Sequence, residues 1–152
     1  MNMTIETVTA KACNQLGECM EFLSVGATRE LQGKNFPSPW HYGERELFFK
    51  KCPYDIPAIE LIEYYRLHGF IPAPAPLLAG YALGHRDCIA YFGGIVTFDF
   101  KNTFVSPNLH KESFFAIGTP ILLKMNAPVD IIFTSLPVDF SFKEWTLVFM
   151  KQ

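Results

Sequence analysis

Val96-Thr97-Phe98-Asp99-Phe100-Lys101 and Val138-Asp139-Phe140-Ser141-Phe142-Lys143 are the two stretches whose reading decides the fold. In each, apolar and polar side chains alternate without a break. A pleated strand sends successive side chains to opposite faces, so a period of two predicts strands with one buried face. Trp145, Leu147 and Phe149 carry the alternation onward in the opposite phase, which requires a bulge or tight turn at Lys143 and Glu144.

Outward from these stretches, ESFFAI (112–117), PILLKM (120–125) and VDIIFTSL (129–136) read as further strands. They are separated by Gly118, Thr119 and Pro120, then by Asn126, Ala127 and Pro128. Connections that short join antiparallel neighbours, because a parallel crossover needs a dozen residues or more. The tripeptide PVD occurs at 128–130 and again at 137–139 and reads as two strand starts.

Toward the N-terminus the period lengthens. Ile5, Val8, Ala12, Leu16, Met20 and Leu23 recur every three or four residues, which predicts a helix over 5–23 capped by Thr4 and stopped near Gly26. Residues 32–54 read as loop, with one short strand at Leu47–Phe49. A second helix is expected over 56–68. Asp55 can cap it, Pro57 is tolerated in its first turn, Ile59, Ile62 and Leu67 lie along one side, and Gly69 ends it. FIPAPAP (70–76) then reads as a stiff polyproline connector. The expected class is α+β, with two helices in the N-terminal half followed by an antiparallel sheet or sandwich in the C-terminal half. Residues 1–152 fit one domain, helical and loop-rich over 1–71 and β-rich over 77–150.

Charge supplies the strongest functional hint. The chain has 13 Lys and Arg and 15 Asp and Glu among 152 residues, about ten fewer charges than an average domain of this length carries. Sixteen of them fall in the first 66 positions and 12 in the remaining 86. A net charge of -2 gives no broad positive field, so nucleic acid is not expected as the main partner. The longest stretch without Asp, Glu, Lys or Arg, between Arg66 and Arg86, is broken by three prolines and three glycines and cannot span a bilayer. The N-terminus has no cationic segment leading into an apolar one, which argues against Sec-type export and for a cytoplasmic protein or one assembled inside the cell into a particle.

Nucleotide-binding, hydrolase and metalloprotease signatures are missing. The cysteines at 13, 19, 52 and 88 form no CxxC pair and have no histidine at a zinc spacing, so neither a metal nor another cofactor is expected. The best catalytic candidates are His85, Asp87 and Cys88. Cys88 would be a nucleophile if His85 served as its base and a third group oriented that base. The plainer reading makes Gly84 to Asp87 the polar tip of a hairpin and Cys88 the start of the next strand. Trp40, His41 and Tyr42 form a second cluster, read either as a plug over the core or as a contact for a partner or small molecule. Glu60 and Glu63 read as the solvated face of a helix.

Three function classes follow. A structural or interaction subunit, of the kind used in virus and phage particles, accounts for both the missing charges and the missing motifs. A β domain binding a small molecule in a Phe-lined pocket is the second, and a small thiol enzyme built on Cys88 and His85 is the third. The cysteine spacings carry a test: thiol titration of denatured protein without reductant should count four free thiols, whereas two or none would show pairing.

Overall fold

Leu47, Phe48 and Phe49 are all buried although successive strand residues face opposite ways, so the sheet that holds them is covered on both sides. The computed structural model describes residues 4–8, 45–52, 55–85, 89, 93–99, 104–105, 112–124, 126 and 130–152. In chain order the elements are β1 (Thr4–Val8), β2 (Arg45–Lys51), α1 (Ala58–Leu67), β3 (Phe70–Pro72), α2 (Ala75–Gly84) and β4 (Gly94–Val96). They are followed by β5 (Phe104–Val105), β6 (Glu112–Gly118), α3 (Pro120–Leu123), β7 (Ile132–Pro137) and β8 (Thr146–Lys151).

The strands make one sheet in the order β1-β2-β8-β4-β6-β5, with β3 also on β8 and β7 also on β6. Every pairing is antiparallel except β4 with β8, where Ile95 lies beside Thr146 and Val96 beside Leu147 in parallel. The class is α+β as expected, but the sheet is single and mixed, neither wholly antiparallel nor a sandwich. Neighbouring residues divide between two cores. Leu47, Phe49, Phe115, Ile117 and Val148 pack on the side covered by α2. Phe48, Phe114, Ala116, Leu147 and Phe149 pack on the side covered by α1.

The expected helix over 5–23 is contradicted at its start. Thr4–Val8 is a strand, paired from Thr4 opposite Phe49 to Val8 opposite Arg45. Its sequence, TIETV, is dominated by β-branched residues, which lose side-chain freedom in a helix and suit a pleated edge. Residues 9–23 of that expectation, and Gly26, lie outside the described residues. The short strand expected at Leu47–Phe49 is present and extends over Arg45–Lys51.

The helix expected over 56–68 is found at Ala58–Leu67, but its start and its buried face differ. Pro57 takes the N-cap position without a side-chain cap, and Asp55 instead accepts a hydrogen bond from Ser141 Oγ at 2.9 Å. Ile59 and Leu67 point outward, 68% and 70% exposed, while Ala58, Leu61 and Tyr65 are buried. This stripe carries the Tyr65 ring onto Phe149, centroid to centroid 4.2 Å. Gly69 ends the helix at φ +86, as expected of a glycine in the left-handed region.

FIPAPAP is not a polyproline connector. Phe70–Pro72 pairs with β8, and the Ala73 amide donates to the Val148 carbonyl at 3.2 Å. Pro74 and Pro76 fall at the N-cap and in the first turn of α2, where helix amides have no intrahelical acceptor and a missing N–H costs nothing. The helix reads APLLAGYALG, apolar all round, and such a helix is buried all round. Ala75, Leu77, Leu78, Ala79, Tyr81 and Ala82 are each 0% exposed. No helix among the described residues is long and apolar enough to cross a membrane.

The two deciding stretches depart from regular strands in different ways. β4 stops at Val96; Phe98 packs on the same side as Val96, as the alternation expects, the Thr97 amide still donates to the Phe115 carbonyl at 3.2 Å, Thr97 and Asp99 are buried, and Phe100 and Lys101 lie outside the described residues. The Thr97 hydroxyl donates to the Ala73 carbonyl, and Asp99 Oδ2 accepts the Ala75 amide at 2.9 Å. Two side chains beyond β4 therefore anchor the start of α2 across the sheet. Residues 138–142 are not a strand either. The ladder of β7 ends at Pro137 opposite Ser113, the Phe140 amide turns back to the Pro137 carbonyl at 2.9 Å, and Phe142 folds into the α1-side core. PVD at 137–139 thus closes a strand rather than opening one.

The turn expected at Lys143 and Glu144 is present. Glu144 takes φ +69, its amide donates to the Cys52 carbonyl at 2.6 Å, and the Cys52 amide donates to Trp145 at 2.8 Å. The PILL part of PILLKM is a short helix, α3, because Thr119 caps it by accepting the Leu122 amide at 3.2 Å and Pro120 occupies its first turn; Met125 lies outside the described residues. Strands β6 and β7 match ESFFAI and the IFTSL part of VDIIFTSL.

Asp99→Ala removes the carboxylate that accepts the Ala75 amide and should destabilise the fold by about 1–2 kcal/mol. Urea titration checks this, with Glu63→Ala on the exposed face of α1 expected to leave the midpoint in place.

Candidate functional site

Of the residues singled out from sequence, Trp40, His41, Tyr42, Asp87 and Cys88 lie outside the described residues. His85 does not tip a hairpin between strands, because Gly84 before it is the last residue of α2. The ring of His85 stacks on Tyr81 at 4.4 Å and 12°, and Nδ1 lies 3.0 Å from the Tyr81 carbonyl oxygen. A carbonyl only accepts, so Nδ1 carries the proton, and in the neutral ring Nε2 is the basic nitrogen.

The same device closes α1. His68 Nδ1 lies 2.8 Å from the Tyr64 carbonyl, with the two rings 4.6 Å apart. In both helices the last amide turns to a carbonyl three residues back, His68 to Tyr65 at 3.0 Å and His85 to Ala82 at 3.4 Å. That tightening leaves the carbonyl four residues back, and the histidine ring takes it. Tyr-x-x-x-His at a helix end is therefore a C-cap built from a side chain. The orientation that would suit a catalytic base at His85 also occurs at His68, so capping accounts for it in both places.

Among the described residues no group of three or more His, Cys, Asp or Glu is placed to hold a metal. Cys52 is buried and takes part in no disulfide among the described residues. Glu60 and Glu63 are exposed, and Glu63 receives Arg66 through two contacts, Nε at 2.9 Å and Nη2 at 2.6 Å. The hydrogen bonds from Arg66 and then its charge hold the Glu63 carboxyl below the ordinary carboxylate range. The phenylalanines pack on one another: Phe98 lies 5.0 Å from Phe114 and 5.2 Å from Phe142, and Phe115 5.6 Å from Phe133.

The feature that sequence reasoning missed is an apolar surface around Trp145. Gly94 and Gly118 face each other across β4 and β6, and a Cβ on Gly94 would meet Leu122 Cδ2 at 2.5 Å and the Trp145 ring at 2.8 Å. A Cβ on Gly118 would meet Leu123 and Leu122 at 3.2 and 3.3 Å. The two glycines thus form a seat on which α3 lies. Leu122 remains 41% exposed and Ile121 91% exposed. Phe140, 42% exposed, meets the Trp145 ring edge to face at 6.2 Å. Thr119-Pro120, a capping residue followed by a proline, was the sequence signal for α3. Nothing in the alternation of 138–142 distinguished exposed Phe140 from buried Phe142.

No protein-family model, curated protein or solved structure matches the chain.

Burial pushes the Tyr65 phenol up to about 12, with smaller contributions from Tyr64 and Cys52. The folded chain holds this proton more tightly than the unfolded chain, whose phenols titrate near 10. The stability involved is complete below about pH 10 and is lost as the pH rises toward 12. Tyr65→Phe should flatten that alkaline decline in stability and remove one late-titrating phenolate from the ultraviolet difference spectrum.

Proposed function

We propose that the chain is a non-enzymatic structural or interaction subunit of a larger protein assembly, of the kind found in virus and phage particles. The observation that carries this reading is the apolar surface that Leu122 and Phe140 make at Trp145, with Ile121 of the same short helix 91% exposed. Exposed apolar side chains scattered singly are ordinary, but Leu122 and Phe140 meet the same Trp145 ring, and apolar neighbours of that kind on a charge-poor chain favour a contact surface. Only 12 charges serve the last 86 residues, which leaves few to break up such a surface.

The alternatives receive less support. Phenylalanines stacked on each other fill space, whereas a Phe-lined ligand pocket needs rings facing a void. A thiol enzyme needs His85 held for chemistry, and the matching geometry of His68 gives its orientation a structural cause. Binding by Trp40, His41 and Tyr42 remains part of the proposal as a second contact.

Light scattering of the purified chain across a range of concentrations tests the reading, together with binding of an apolar reporter dye. The expected result is a mass above the 17.3 kDa of one chain, or dye binding that Ile121→Asp abolishes. A 17.3 kDa monomer at every concentration that takes up no dye would overturn it.

A further inference from the structure

We draw no further inference here: the strongest candidate, the outward face of α1, where Ile59 and Leu67 stand exposed with the Glu63–Arg66 ion pair between them along the helix, is an unpartnered surface patch, and nothing in the structure shows what covers it.

Discussion

β8 is hydrogen-bonded along both edges and buried on both faces, and the rest of the sheet is arranged around that fact. Residues 146–149 pair with β2 on one side. The other side is shared, β4 taking Thr146 and Leu147 and β3 taking the stretch from Phe149 to Lys151. Because β3 and β4 approach the same edge from opposite ends, they meet head to head at Ala73 and Thr97. A strand end buried in a sheet leaves polar groups that must be satisfied. The Thr97 hydroxyl and Asp99 carboxylate do this, and they also fix where α2 begins.

The same constraint explains which parts of the fold were legible in the sequence. Alternation shows a strand most clearly where one face is wet. In Leu47-Phe48-Phe49 the alternation is between two cores and registers as an apolar run without phase, whereas the phase read from Trp145, Leu147 and Phe149 holds, all three packing on the α1 side and Val148 on the other. The segment 138–142 has visible alternation because its polar residues face solvent, yet it is a turn that inserts one phenylalanine and exposes another. Strands β6 and β7 were readable from apolar runs bounded by Gly118 and the Asn126 to Pro128 break. α1 was readable from its punctuation, Pro57 and Gly69, although its buried face was decided by the fit of Tyr65 against Phe149 and not by apolar count. α2 was hidden by its prolines, which mark a helix start as readily as an extended chain.

Less of the candidate site was legible, for a physical reason. A contact surface is defined by what remains uncovered after packing, and sequence does not state which of two neighbouring apolar residues will be covered. Phe140 and Phe142 are chemically identical and two positions apart, yet one is 42% exposed and the other 1%. Charge scarcity after position 66 indicated that such a surface should exist but not where. His85 was visible as a polar residue in an apolar region, and only the geometry shared with His68 revealed it as a helix cap.

The position of β8 in the chain has a consequence for biosynthesis. It is the last of the described elements to leave the ribosome, yet it is the strand that joins β2 and β3 to β4 and everything paired beyond β4. Until it emerges, β1 with β2 and β4 with β6 can exist only as separate pieces, each with an apolar face and an open edge. From the completion of β6 at Gly118 to the start of β8 at Thr146, the two half-sheets have no strand to join them. Closure then occurs in one late step, by insertion of a single strand between two preformed edges.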